Sequence, residues 1–193
     1  MTEFEVKIPN IDKDAVRQRL ISAGAVQQES VHTLRNVALF LPSGHEIQGG
    51  WLRVRDEGKE IAMSLKIIGS EKIENQKEFR FVVKDFDEAL EFLELIGSKK
   101  KSFQEKNREI WILDECEVVI DEWPFLEPLI EVEGPSESAV IKSVEKLGYD
   151  YSKTRVCSTS VLYAEKYGVS EKEVNDQTPV LTFSMSNPFE KAV

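Results

Sequence analysis

Hydrophobic and polar residues alternate with a period of two along much of the chain. In the N-terminal stretch EFEVK, Glu3, Glu5 and Lys7 alternate with Phe4 and Val6. Successive side chains of a β-strand point to opposite faces, so this pattern predicts a strand with one charged and one apolar face. Comparable patterns predict eight strands, over residues 3–8, 32–41, 51–56, 61–68, 77–84, 107–113, 117–122 and 129–133.

Helical spacing of apolar residues appears in only a few places. It predicts helices over 12–24, 87–97 and 136–148, each of which ends at a glycine, the residue that favours helix termination. A fourth helix is predicted over 152–168, and a short helix with an irregular tail over 169–193. Eight strands with few helices between them favour an α+β fold built on a mainly antiparallel sheet.

The predicted strands place charges of both signs on one face and apolar residues on the other. The pattern of EFEVK recurs in WLRVR, AMSLKI, KEFRFV, KNREI, EVVID and LIEVEG. The cations on the charged faces are Lys7, Arg53, Arg55, Lys66, Arg80, Lys106 and Arg108. The carboxylates there are Glu3, Glu5, Glu78, Glu117, Asp121, Glu131 and Glu133.

Two architectures explain a sheet with one charged face. Antiparallel sheets often leave one face in water, which is the ordinary explanation. Solvated faces usually also carry Ser, Thr, Gln and Asn, whereas these positions are mostly Arg, Lys, Glu and Asp in i, i+2 pairs. Eight strands are enough to close a barrel, which would make the charged face the lining of a lumen. Because buried charges need partners, ligands or metals, such a lumen indicates a functional site.

The mixture of charges suits one class of ligand. Guanidinium and ammonium groups bind phosphate oxygens, and paired carboxylates are hard oxygen donors for Mg²⁺ or Mn²⁺. A polyphosphate bridged by a divalent metal uses both signs of charge. Such a site supports attack on phosphorus either by water or by a hydroxyl group of the substrate itself.

Composition narrows the classes of partner and the expected environment. The chain has 193 residues and a formal net charge of −10, which argues against a general nucleic-acid or anionic-membrane binder. The two cysteines, Cys116 and Cys157, form neither a disulfide framework nor a metal-type spacing. The chain shows no signal peptide and no apolar run of the ~20 residues that a membrane span needs. We therefore expect a cytoplasmic protein.

The order of the charged strands resembles the CYTH family, which is named for a class of bacterial adenylyl cyclases and thiamine triphosphatase. EFEVK resembles the ExExK signature of that family, and it is followed in order by WLRVR, SLK, KEFR, KNR, VVIDEWPF and IEVEG. The resemblance covers residues 1–168 and leaves 169–193 as a C-terminal helix and tail. It implies the triphosphate tunnel fold, a closed eight-stranded antiparallel β-barrel with a charged lumen and helices packed outside.

The resemblance also implies roles for the charged residues. The implied triphosphate ligands are Lys7, Arg53, Arg55, Lys66, Lys106 and Arg108. The implied metal-binding residues, for Mg²⁺ or Mn²⁺, are Glu3, Glu5, Asp121, Glu131 and Glu133. Among these two sets, Glu3, Glu5, Lys7 and Arg55 are expected to be catalytic. Arg80 departs from the family, which often has a second acidic pair on that strand, and it is expected either to contact phosphate or to pair with a carboxylate.

Three functions are consistent with this sequence. The first is a metal-dependent hydrolase of tripolyphosphate or of a nucleoside or thiamine triphosphate. The second is a class IV-type adenylyl cyclase that forms cyclic AMP and pyrophosphate from ATP, and the third is a non-catalytic polyphosphate-binding module. We favour hydrolysis, because it demands less of the site than cyclisation does. The expected partner is a small triphosphate, and association into a homodimer stays open.

Overall fold

One curled sheet with helices on its outside forms the protein. The structure is a computed structural model that describes residues 2–69 and 76–190, without the side chains of Thr2, Glu3 and Gln76. Its strands are β1 (Thr2–Ile8), β2 (Val26–Phe40), β3 (Gly50–Asp56), β4 (Ile61–Ile68), β5 (Gln76–Val83), β6 (Lys99–Leu113), β7 (Cys116–Glu122), β8 (Leu129–Gly134) and β9 (Val180–Leu181). Its helices are α1 (Lys13–Ser22), α2 (Phe86–Leu95), α3 (Glu137–Lys146), α4 (Thr159–Tyr167) and α5 (Glu171–Asp176).

The strands are hydrogen-bonded in the order β2-β3-β4-β5-β1-β8-β7-β6-β9. The first eight strands of this order are antiparallel to their neighbours, whereas β9 runs parallel to β6. In addition, β2 pairs with β6 from Val26–Ile112 to Phe40–Lys99. This pairing gives the sheet a strong curl. The predicted α+β fold with an antiparallel eight-stranded sheet is confirmed.

Helices cover part of the outer face of this sheet, where the apolar residues of the alternating strands lie. Residues of α1 and α3, among them Val16 and Val140, pack with Val6 and Val132 in one buried cluster. Residues of α2 pack with β2 and β3 in a second cluster around Val54. The alternate residues of each strand therefore face the other way, and we call that side of the sheet the inner face. Within the described residues, no helix is long and apolar enough to cross a membrane.

Two strands are longer than the sequence predicts, and one helix is shorter. β2 begins at Val26 and β6 at Lys99, in stretches where polar residues occupy both faces. The pairing of β2 with β6 extends both strands there, and the hydrophobic pattern carries no sign of that pairing. The prediction of one continuous helix over 152–168 is wrong. A 3₁₀ turn at Tyr151–Lys153 is followed by extended residues, and α4 begins only at Thr159.

The C-terminal residues pack against the rest of the protein. β9 pairs with Phe103 and Gln104 of β6. A third buried cluster joins α4, α5, β9 and the residues that follow it, through Tyr163, Val174, Leu181 and Phe189. The stretch predicted as a short helix and an irregular tail therefore contains α5, β9 and a buried phenylalanine.

Candidate active site

The inner face brings together the charged residues that the sequence singled out. Those that are buried are Glu5, Lys7, Arg55, Lys66, Lys106 and Asp121. Arg53, Glu78, Arg108 and Glu131 are almost as well covered, with side chains 10 to 15% exposed. Glu133 is exposed, and the side chain of Glu3 lies outside the described residues, so its predicted metal role stays a prediction. The inner face is therefore a charged interior.

On β1, Glu5 and Lys7 form an ion-paired cluster with neighbouring strands. Glu5 accepts hydrogen bonds from Lys7 and, at 2.9 Å, from Lys66 of β4. The Lys7 ammonium also lies 3.0 Å from Glu131 of β8. Burial alone would raise the pKa of the Glu5 carboxyl, but the charges of Lys66 and Lys7 outweigh it and hold that pKa below its usual range. Glu5 is therefore an ionised carboxylate in this site.

A second ion-paired cluster joins β6, β7 and β8. Arg108 donates to both oxygens of Asp121, at 2.7 and 2.6 Å, and to Glu131 at 2.7 Å. Lys106 donates to Asp121 at 2.5 Å. Asp121 is fully buried, and Lys106 is 2% exposed. Removing charges of this kind from water is costly, and the paired geometry offsets that cost.

Each of the two arginines of β3 has one carboxylate partner within the described part of the chain. Arg53 contacts Glu78 at 2.7 Å, and the one carboxylate that Arg55 contacts among the described residues is Glu57, at 3.6 Å. The Nε–H groups of both arginines are buried without a hydrogen-bond acceptor anywhere in the described residues. Buried donors of this kind are rare in native proteins. These two N–H groups of β3 are therefore available to donate hydrogen bonds to a bound acceptor.

Cations crowd one another on this side of the inner face. Burial, together with the charges of Arg53 and Arg108, lowers the pKa of Arg55 to about 9. Burial and the charge of Arg108 lower the pKa of Lys106 to about 7, and the charge of Asp121 opposes them only in part. An anion placed between these residues would relieve the repulsion, and it would accept the unused hydrogen bonds.

Carboxylates line the opposite wall, and their arrangement bears on metal binding. The strand register places Glu5 opposite Glu133, and Glu133 opposite Glu117, which makes a row across β1, β8 and β7. Like charges directly opposite one another destabilise a sheet unless a cation offsets them, and carboxylate oxygens suit Mg²⁺ or Mn²⁺. Within the described residues, no group of three or more His, Cys, Asp and Glu side chains is arranged to hold a metal. The donor chemistry and the register fit a divalent cation, although Glu5 is turned toward lysines.

Arg80 lies at the rim of the site. It is paired with Glu57 and Glu60, which belong to the turn between β3 and β4. Glu57 also lies near Arg55, so one acidic turn contacts two predicted phosphate ligands. The sequence pattern gives no sign of Glu57, because the alternation of a strand carries no information about a turn residue that folds back.

Two cations near the predicted fourth helix differ in their placement. Lys153 is largely exposed, with 82% of its side chain accessible, and lies near Asp150. The backbone of Arg155 pairs with Lys7 of β1 in both directions, at 2.8 and 2.9 Å, while its side chain contacts Glu165. The extended segment after the 3₁₀ turn thus lies along β1, beside a buried lysine of the site.

Several solved structures share the fold of this chain at low sequence identity. PH1012 from Pyrococcus horikoshii OT3 has a TM-score of 0.68 and 20% identity, over 83% of this chain and 98% of that one. A candidate adenylate cyclase from Vibrio parahaemolyticus has a TM-score of 0.72 and 13% identity, over 85% and 98%. HpAC1 from Hippeastrum, a candidate adenylyl cyclase described as having a dominant triphosphatase activity, has a TM-score of 0.54 and 12% identity, over 87% and 97%.

Sequence comparison identifies the family. A search of curated proteins finds no match. The family model described as the CYTH domain matches residues 1–162, which is most of the chain. That span includes all the charged residues of the inner face described above, from Glu5 to Glu133. The chain therefore belongs to the CYTH family.

Proposed function

We propose that this protein is a divalent-metal-dependent hydrolase of tripolyphosphate or of an organic triphosphate. The observation that carries the proposal is the pair of arginines on β3, whose Nε–H groups are buried and lack acceptors within the described residues. Several phosphoryl oxygens in a row are acceptors of the right charge and spacing for guanidinium groups. The inner face also carries four cations on β3 and β6, Arg53, Arg55, Lys106 and Arg108, and a row of carboxylates across β1, β8 and β7.

We also propose that the inner face is the lining of a closed tunnel. The pairing of β2 with β6 supports closure on one side, because it joins strands from the two ends of the sheet order. Among the described residues, the register between β1 and β5 contains only Thr2–Lys77 and Glu3–Gln76, and the extended segment at Arg155 lies along β1 farther on. A tunnel of this kind would exclude water from the phosphate chain and strengthen each charge–charge contact.

The metal-binding role is assigned to the carboxylate wall. Glu5, Asp121, Glu131 and Glu133 would hold the cation, with Glu3 as a further predicted ligand. When bound, a divalent cation would neutralise phosphate charge and make a water molecule more acidic. Ion pairs keep Glu5 and Glu131 ionised in this structure, since the lysines that contact them lower the pKa of each carboxyl against the effect of burial.

The chain's own residues supply positioning and electrostatic stabilisation. Arg53 and Arg55 would hold the phosphate chain from β3, with Lys66 on β4 and Lys106 and Arg108 on β6. Lys7, between Glu5 and Glu131, would place a positive charge next to the metal-binding wall. Phosphoryl transfer passes through a loose transition state, so binding geometry and charge stabilisation account for most of the catalysis. No covalent intermediate with the protein is required.

One incubation tests the proposal against its alternatives. The purified protein is mixed with Mg²⁺ or Mn²⁺ and either tripolyphosphate or ATP, and orthophosphate, pyrophosphate and cyclic AMP are followed. Orthophosphate from tripolyphosphate without cyclic nucleotide is the expected result. Formation of cyclic AMP and pyrophosphate from ATP would contradict the hydrolase and show that the protein is an adenylyl cyclase. Binding of tripolyphosphate with no product would favour the non-catalytic module.

A further inference from the structure

Trp123 carries a third buried N–H donor that has no hydrogen-bond partner among the described residues. Its indole N–H is covered from solvent and, like the Nε–H groups of Arg53 and Arg55, has no acceptor in the part of the chain that is described. Among the described side chains, the one other buried polar atom without a partner is the hydroxyl of Ser98. Among the described side chains, three buried N–H donors lack an acceptor and no buried carboxylate lacks a donor, which indicates a missing ligand that is rich in acceptors.

The position of Trp123 joins it to the cationic wall. It follows β7 directly, two residues after the buried Asp121. The Lys106 ammonium lies 5.2 Å from the centre of its indole ring, and Lys106 donates to Asp121. An anion that reached Lys106 would therefore also come close to the Trp123 ring.

The turn that carries Trp123 is held rigidly. The Leu126 amide donates to the Trp123 carbonyl at 3.2 Å, and Phe125 has a positive φ of 63°. Tyr163 of α4 donates to the Pro124 carbonyl at 2.6 Å, and Tyr167 donates to the Phe125 carbonyl. Trp123 also packs against the third buried cluster, which contains Tyr163 and Leu181. A donor fixed in this way is preorganised and costs little entropy when it binds a ligand.

We propose that Trp123 is a substrate-binding residue, whose indole N–H donates a hydrogen bond to a phosphoryl oxygen held by Lys106. This proposal rests on the proposed function. It adds a neutral hydrogen-bond donor, which would fix the position of one phosphoryl oxygen without adding positive charge to the site. The competing explanation is a water molecule that satisfies the N–H permanently. The two differ in whether ligand binding changes the environment of the indole proton.

The test uses tripolyphosphate and the full-length protein in the absence of divalent metal. The chain has three tryptophans, Trp51, Trp111 and Trp123, so ¹⁵N labelling gives three indole N–H signals. The signal lost in W123F is assigned to Trp123; should W123F fail to fold, W51F and W111F assign it by elimination. We expect tripolyphosphate to shift the Trp123 proton downfield, as a new hydrogen bond to a charged oxygen does.

Calorimetric titration provides the second measurement. W123F keeps an aromatic ring beside Lys106 but lacks the N–H, and we expect it to bind tripolyphosphate about tenfold or more weakly, the effect of one hydrogen bond to a charged acceptor. W111F is the matched control, because the Trp111 indole N–H donates to Glu109 on the outer face. It should bind within about twofold of the wild type, since that N–H has no part in the site.

The outcomes separate this inference from the proposed function. A Trp123 signal that does not move when tripolyphosphate binds, or a W123F affinity within twofold of the wild type, overturns the role of Trp123 and leaves triphosphate binding intact. Absence of tripolyphosphate binding in the wild type overturns the proposed function, and the role of Trp123 with it.

Discussion

Arg55 differs from a structural arginine in what surrounds it. It is buried, its nearest carboxylate among the described residues is 3.6 Å away, and burial together with neighbouring cations lowers its pKa. We expect Arg55→Ala to reduce the release of orthophosphate from tripolyphosphate by at least ~100-fold, because a charge-assisted contact to phosphate is lost in a site shielded from water. Turnover and calorimetric binding of tripolyphosphate should fall together.

Arg35→Ala is the matched control for that substitution. Arg35 lies on the neighbouring strand but is exposed, and it contacts Asp56 at 2.5 Å. Its loss should leave turnover within about twofold of the wild type, as expected for a surface ion pair. Circular dichroism establishes that both variants fold. Full activity in a folded Arg55→Ala protein would contradict the assignment of the cationic wall to phosphate binding.

Glu5 tests the carboxylate wall separately. We expect Glu5→Gln to lower metal-dependent turnover by ~100-fold, because the site loses a charged oxygen donor and a partner of Lys7 and Lys66. Metal-free binding of tripolyphosphate should be retained or strengthened, since a negative charge is removed from the lining. A Glu5→Gln protein that loses metal-free binding as completely as Arg55→Ala would contradict the division of roles between the two walls.

Strand alternation predicted most residues of the site, and its limits have a physical cause. Arg53 and Lys66 each lie between two apolar neighbours in the sequence, so alternation alone places them on the charged face of their strands. Glu57 could not be found in this way, because it reaches the site from a turn. Nor could the packing of Lys106 on Trp123, since that depends on how β6 and the turn after β7 meet in three dimensions.

At the scale of elements, a buried carboxylate fixes helix α1 to the sheet. Glu109 of β6 is buried, and it accepts hydrogen bonds from Arg17 of α1 at 2.8 and 3.0 Å, from Gln27 and from Trp111. Arg17→Ala would leave this carboxylate with two neutral donors. We expect the free energy of unfolding in urea to fall by about 2 kcal/mol, since hydrogen bonds to charged groups are the strong ones.

Asp14 provides the control on the same helix. It accepts a hydrogen bond from Arg17 at 2.7 Å, but its side chain is 89% exposed. We expect Asp14→Ala to change the free energy of unfolding by less than ~0.5 kcal/mol. Equal effects of Arg17→Ala and Asp14→Ala would show that the contact with Glu109 contributes little to anchoring the helix.

Helices and strands could be predicted from the sequence where their own residues carry the signal, as a capping residue or a regular hydrophobic pattern. Helix α3 begins after Ser136, whose side chain accepts from the Ala139 amide, and this capping residue is visible in the sequence. The first half of β6, KKKSFQEK, has no such pattern, because its partners are the distant residues of β2 and β9. This part of β6 is a strand because it pairs with residues far away in the sequence, and a single sequence does not reveal such pairing.

On the scale of the whole molecule, the C-terminal residues lie beyond the family model, yet they complete a buried cluster. Phe189 is 5% exposed, and its ring centre lies 5.2 Å from that of Tyr163 and 5.3 Å from that of Tyr167. Phe189→Ala should lower the free energy of unfolding by about 3 kcal/mol, the usual cost of removing a buried aromatic side chain. Phe183, 43% exposed in the same tail, is the control, and Phe183→Ala should cost less than ~1 kcal/mol.

Ligand binding should raise the stability of the whole protein, because a bound anion would relieve the repulsion between the cations of the site. Arg53, Arg55, Lys106 and Arg108 repel one another in an interior shielded from water, and tripolyphosphate would neutralise them. At 100 times its dissociation constant, a ligand that binds only the folded state adds about 2.7 kcal/mol to stability. For a chain of this size, that corresponds to a rise in Tm of roughly 5–10 °C.

Thermal unfolding with and without metal-free tripolyphosphate measures this rise, and sodium chloride at equal ionic strength is the control. Salt screens the same repulsion without occupying the site, so its effect on Tm should be much smaller. A protein with both Arg53→Ala and Arg55→Ala should lose most of the response to tripolyphosphate, since it lacks the two arginines whose Nε–H groups have no acceptor. If sodium chloride raised the Tm as far as tripolyphosphate does, the stabilisation would come from screening of charge and not from a bound phosphate chain.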